Sequence, residues 1–189
     1  MEYALGLSLG MALSACCGFR VFIPLLVSSI ASRLGLIQLT EDFNWMGSWT
    51  AIIIFGSATL AEVIAYYLPF VDNLLDTIAA PVAVIAGTLL TASFIKEMSP
   101  VLQWTLAIIV GGGSAGLVQA STSLLRLGST TTTGGIANPM VSTAENLLSS
   151  IFSILAIFIP FIVVAVVVLF LLFVVKKIMD KRKGQTRSV

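Results

Sequence analysis

Apolar residues run along this chain in five long blocks separated by short polar breaks. The first spans Ala4 to Ile37 and is interrupted by Gly18, Arg20 and Pro24. The second, Trp49 to Leu68, carries one charge, Glu62; the third, Ile78 to Ile95, follows Asp72 and Asp76. The fourth runs from Val101 to Leu125 through Gly111-Gly112-Gly113, and the fifth from Leu147 to Val175 with Pro160 inside it. About 20 apolar residues let a helix cross a bilayer, so these blocks predict membrane helices, with the third marginal. The first is too long for one straight crossing. At 1.5 Å per residue it would extend roughly 50 Å, against a hydrocarbon core of about 30 Å. Pro24 has no amide hydrogen and crowds the carbonyl four residues before it, so this block is expected to be broken or re-entrant. Pro160 divides the fifth block in the same way, leaving an amphipathic half from Val141 to Phe158 and a uniformly apolar, lipid-facing half. The expectation is an all-α, polytopic helical membrane protein of about five spans with broken first and last elements. It forms one domain over residues 1–180, with a basic tail at 181–189.

Composition strengthens the membrane reading. Of 189 residues 58% are hydrophobic and only 10% charged, and mean hydropathy is +1.05. A soluble domain carries roughly a quarter charged residues. The net charge of +1, with basic residues clustered only in the tail, gives no nucleic-acid-binding signal. That tail follows directly on an apolar run, which marks its side as cytoplasmic. Five crossings then place Arg33 and Lys96 inside and Glu2, Asp72 and Asp76 outside, with Arg126 as the exception to the positive-inside pattern. No basic stretch precedes the first apolar block, so the N-terminus does not read as a cleaved signal peptide. The expected location is integral to a bacterial inner membrane.

Charge at lipid depth is expensive, which draws attention to two arginines. Gly6, Gly10 and Ser14 lead to Arg20 at the same spacing as Gly112, Gly116 and Ala120 lead to Arg126. In five crossings the two stripes run in opposite directions, which predicts an inverted repeat of the kind found in transporters. The plainer alternative is that small residues recur wherever membrane helices pack closely, including in a homo-oligomer. Opposite signs suggest that Arg20 pairs with Glu145 and Glu62 with Arg126. The hydroxyl-rich stretch Ser129 to Gly135 is expected to be a loop. There Thr130, Thr131, Thr132 and Thr133, with Gly134, Gly135 and Asn138, would offer ligands to a dehydrated ion or anion. The alternative is an exposed linker. Asn138-Pro139 reads as a helix start, and Ser142 to Glu145 has capping-box spacing. Asp72 and Asp76, four apart at a helix start, suit the helix dipole better than a cation site. Gly111 to Gly116 lacks the Gly-Lys-Ser/Thr ending of a phosphate-binding loop and fits close packing.

Enzymatic readings are weak. Histidine is absent, and with it the commonest general base and metal ligand. Cys16 and Cys17 are adjacent, without zinc-site spacing. No catalytic residue, cofactor or metal is expected.

Three motifs carry a resemblance: Gly18-Phe19-Arg20-Val21-Phe22-Ile23-Pro24, Pro69-x-x-Asp72-x-x-x-Asp76, and Thr132-Thr133-Gly134-Gly135-x-x-Asn138-Pro139. In this order they resemble the domain of unknown function 4126 family over nearly the whole chain. The family's pattern has an acidic pair where this chain has Glu145-Asn146. The resemblance implies a small polytopic membrane protein and no catalytic or substrate assignment. The residues themselves favour a transporter or channel-like protein for a small solute or ion, with anions suggested by the arginines. Glu62 and Glu145 would then neutralise the arginines or carry coupling protons. A lipid-handling protein and a non-transporting assembly subunit are the alternatives.

Overall fold

The computed structural model describes residues 2–68, 71–96 and 98–186. Helices α1 (Glu2–Cys17), α2 (Phe22–Arg33) and α3 (Trp49–Ala65) come first, with a 3-10 helix, Glu41–Gly47, before α3. They are followed by α4 (Val71–Phe94) and α5 (Pro100–Leu106); a π-helical stretch, Ala107–Gly112, joins α5 to α6 (Gly113–Thr133). Helices α7 (Asn138–Phe158) and α8 (Pro160–Thr186) complete the bundle. Among the described residues there is no strand.

Three continuous helices are long and apolar enough to cross a bilayer: Leu74–Phe94, Pro100–Thr133 and Asn138–Phe158. A fourth arises if the 3-10 helix and α3, bent by 63°, count as one span. The third sequence block is therefore not marginal. Its helix starts at Val71, earlier than hydropathy suggested, because the first two turns hold Asp72 and Asp76. Many large apolar side chains outside the core stay exposed, including Ile53, Leu60, Ile109, Ile154 and Leu169. Such faces suit lipid rather than water.

The first block is indeed broken, but not at Pro24. The chain leaves the helix at Gly18–Val21 and re-enters it at Phe22, so Pro24 occupies the first turn of α2. There a missing amide costs little, since first-turn amides lack intrahelical partners anyway. Gly18 marks the break because a Cβ there would lie 2.5 Å from the carbonyl oxygen of Ala115 on α6. Ile159, with φ −137° and ψ 56°, interrupts the fifth block immediately before Pro160.

Side-chain pairings fix the direction of each element. Gly6 lies against Phe94, Gly10 against Thr91, and the Ser14 hydroxyl donates to the Gly87 carbonyl at 2.6 Å, so α1 runs antiparallel to α4. Gly111 lies against Gly87 and Thr91, and Gly116 against Val84, so the π-α6 segment is antiparallel to α4 as well. The two small-residue stripes are therefore parallel, and the expected inverted relation between them does not hold. Both stripes serve one purpose: each brings a backbone close to α4.

Helix α2 starts beside Glu62 near the end of α3. It finishes where Arg33 lies over the Trp49 ring, 5.1 Å from its centroid, at the start of α3. α1 and α2 thus form a hairpin. Helix α8 leaves Pro160, close to Gly6 and Phe94, and brings Phe170 within 6.4 Å of Phe19, ring to ring. The chain consequently runs along the bundle seven times, with α1 and α2 as short pieces; three of these runs, or four if the bent pair counts as one, are long and apolar enough to cross a bilayer. This folding-back leaves the expected five spans unconfirmed, because the first and last blocks, each counted as one crossing, run along the bundle twice. It also separates Arg33 and Lys96 from the end to which Lys176 leads. The side chains of the basic tail, 181–189, lie outside the described residues.

Candidate functional site

The break between α1 and α2 drops Arg20 into a buried cluster built from five elements. Its Nη1 lies 3.0 Å from Glu145 Oε2 on α7. Its Nε donates to Asn146 Oδ1 at 2.5 Å and its Nη2 to the Ser142 carbonyl at 3.3 Å. Arg126, from α6, donates through Nη2 to the same Glu145 Oε2. Its Nη1 lies 3.1 Å from Asp76 Oδ1 on α4. One carboxylate oxygen thus bridges two guanidinium groups. Arg20, Arg126 and Glu145 are 1%, 2% and 3% exposed.

Tyr66, just past the end of α3, binds the two arginines together. The Arg20 guanidinium carbon lies 3.8 Å and that of Arg126 4.4 Å from its ring centroid. Such cation–π contacts contribute most when water is excluded. The Tyr66 hydroxyl donates to Asp76 Oδ1 at 3.4 Å, and its carbonyl accepts from Ser142 Oγ at 3.4 Å.

Glu62 does something the sequence reading did not anticipate. Instead of pairing with Arg126, it accepts the backbone amides of Val21 and Phe22 at 2.9 and 3.1 Å. A carboxylate at these orphan donors caps α2 and complements the positive end of its dipole. The chain break and the charge cluster are therefore one construction, since Glu62 holds the turn that presents Arg20.

The other expected ligands divide. Thr130, Thr131, Thr132 and Thr133 are helical, not a loop, because α6 continues to Thr133 and ends at the left-handed Gly134, φ 63°, with Gly135 at φ 88°. Their hydroxyls serve local structure. Thr131 and Thr132 donate to the Gly128 carbonyl at 3.0 and 2.8 Å, and Thr133 to that of Ser129 at 2.7 Å. Thr130 accepts from Asn138 Nδ2 at 3.1 Å, tying α6 to α7 one turn beyond Arg126. The capping box does not form either. Helix α7 starts at Asn138, so Ser142 and Glu145 lie a turn inside it and both are buried. The side chain of Asp72 lies outside the described residues.

Sequence reasoning missed Tyr66 and Asn146. Tyr66 stands four residues after Glu62, on the same helical face, which was the available signal. Among the described residues Arg126 Nε and Glu145 Oε1 are buried without a hydrogen-bond partner. If all are ionised, Arg20 and Arg126 contribute +2 and Glu62, Asp76 and Glu145 contribute −3, leaving −1. Among the described residues no group of three or more His, Cys, Asp or Glu could hold a metal ion.

A family model described as a domain of unknown function (DUF4126) matches residues 7–179, and the chain belongs to that family. Neither curated proteins nor solved structures give a match.

Proposed function

We propose that this member of the DUF4126 family moves a small anion across the membrane, coupled to protons, with Arg20, Arg126 and Glu145 as its centre. The observation that carries this reading is the single Glu145 oxygen shared by two buried arginines. A carboxylate on a helix is a tethered anion, occupying the position that a free anion would take between two guanidinium groups. Protonating Glu145 and Asp76 changes the site from −1 to +1, since Glu62 remains engaged with the α2 amides. A monovalent anion then replaces the lost charge. The unpartnered Glu145 Oε1 is the atom that receives the proton, and the unpartnered Arg126 Nε offers the incoming anion a donor. Thr130 and Asn138, bonded to each other one turn beyond Arg126, would form the polar wall of such a path.

Other features support movement here. The π-helical stretch in the longest span and the broken α1–α2 hairpin are local departures from regular helix, which recur at functional sites. The alternative of a purely structural cluster remains an outcome of the test. Purified protein in proteoliposomes is loaded with a panel of small anions and cations, and flux is followed with and without an acid-outside gradient. Anion uptake that rises with the gradient supports the reading, together with loss of that dependence in Glu145→Gln. Gradient-independent flux, cation flux or no flux in folded protein overturns it.

A further inference from the structure

At the other end of the bundle lies a cavity of about 370 Å³, within the range of small-ligand sites. Its wall is formed by Leu5 and Leu9 of α1, Phe94 at the end of α4 and Ile157 at the end of α7, with Lys96 and Gln38 among its lining residues. Lys96 Nζ donates to Gln38 Oε1 at 3.2 Å, so a cation and an amide stand together at one side of an otherwise largely apolar chamber. Asp76 and Phe94 mark the two sites along α4, roughly 27 Å apart at 1.5 Å per residue. This cavity is therefore separate from the charge cluster.

Its depth in the bilayer can be read from the aromatic residues. All three tryptophans of the chain, Trp45, Trp49 and Trp104, are exposed at this end, as is Tyr3, which lines the cavity. Amphipathic rings of this kind gather at the headgroup level of a membrane. The cavity thus sits where lipid heads meet chains, with its charge and its apolar wall in the matching positions.

We infer that this cavity binds a phospholipid with a net negative head, its phosphate taken by Lys96 and Gln38 and part of an acyl chain lying against Leu5, Leu9 and Ile157. A single lysine recognises such a head by charge rather than by fork geometry, so the selectivity is for net charge over exact head structure. The inference is independent of the transport reading, because no residue is shared between the two sites.

The test uses the full-length protein in detergent, with bound lipid counted by native mass spectrometry. Phosphatidylglycerol, phosphatidylcholine with the same chains, and chain-free glycerol phosphate are compared. Phosphatidylglycerol is expected to be retained best and glycerol phosphate not at all. Lys96→Gln should weaken phosphatidylglycerol retention about fivefold, to the phosphatidylcholine level, and Lys96→Arg should restore it. Leu36→Trp, at an exposed lining position, should lower retention of both lipids by filling the chamber. Unchanged retention in Lys96→Gln, equal retention of the two lipids by the native protein, or binding of glycerol phosphate alone would overturn the inference.

Discussion

Two arginines held by one carboxylate oxygen make Glu145 the most consequential side chain in the cluster, and the arginines respond unequally to its loss. Arg20 keeps Asn146 and the Ser142 carbonyl, whereas Arg126 keeps only Asp76 among its charged partners. Removing the Arg126 charge instead takes a cation from two carboxylates at once, leaving Glu145 with Arg20 alone and Asp76 without its arginine. Arg126→Gln is expected to destabilise the protein by about 3–5 kcal/mol, read as a lower thermal midpoint in detergent, with Arg126→Lys recovering part of it. An unchanged midpoint in Arg126→Gln would mean that water already reaches the pair. Glu62 can be separated from this by its backbone role. Glu62→Gln retains one acceptor oxygen and should cost about 1 kcal/mol, while Glu62→Ala leaves two amides bare and should cost about 2–3 kcal/mol. Equal costs for the two would refute capping. Asn146 next to Glu145 is an amide whose oxygen accepts from Arg20. Asn146→Asp should therefore preserve folding and shift the acid dependence of flux, since it adds a further titratable oxygen beside Glu145.

At the scale of elements, glycine position was legible in the sequence but its partner was not. The spacing of Gly6, Gly10 and Ser14, and of Gly112 and Gly116, announced close packing; that both stripes meet α4 depends on three-dimensional order. Periodicity also failed at α6. A run of threonines is a poor helix former, yet the hydroxyls of Thr131, Thr132 and Thr133 bond to carbonyls one turn back and the helix extends to Thr133. The adjacent glycines give a clean contrast. A Cβ at Gly111 would collide with Gly87 and Thr91, whereas nothing lies within 4 Å of one at Gly113. Gly113→Ala should be neutral or stabilise by up to about 1 kcal/mol through helix propensity. Gly111→Ala should lower the thermal midpoint. Similar midpoints for the two would contradict the tight π-helix–α4 contact.

For the whole molecule, the charges were readable as a group and the topology was not. Arg20, Glu145 and Arg126 stand out because lipid-depth charge is rare, so the chain itself points to its cluster. Hydropathy, by contrast, cannot distinguish one kinked crossing from a hairpin of two short helices, which is how five blocks became seven runs along the bundle. The consequence is measurable. Single cysteines replacing Lys96 and Lys176, with Cys16 and Cys17 buried, should label from opposite sides of the membrane. Labelling from one side would restore the five-crossing arrangement. The parting of Arg20 from its partners by 126 positions along the chain bears on how the protein is made. Ribosomes add about 5–20 residues per second, so Arg20 waits roughly 6–25 s before Glu145 and Asn146 are synthesised. During that interval α1 and α2, each too short to anchor firmly, carry an uncompensated cation at the insertion machinery. A nascent chain truncated before α7 should therefore be a preferred substrate of membrane proteases, and insertion of the first hairpin becomes final only when the last quarter of the protein arrives.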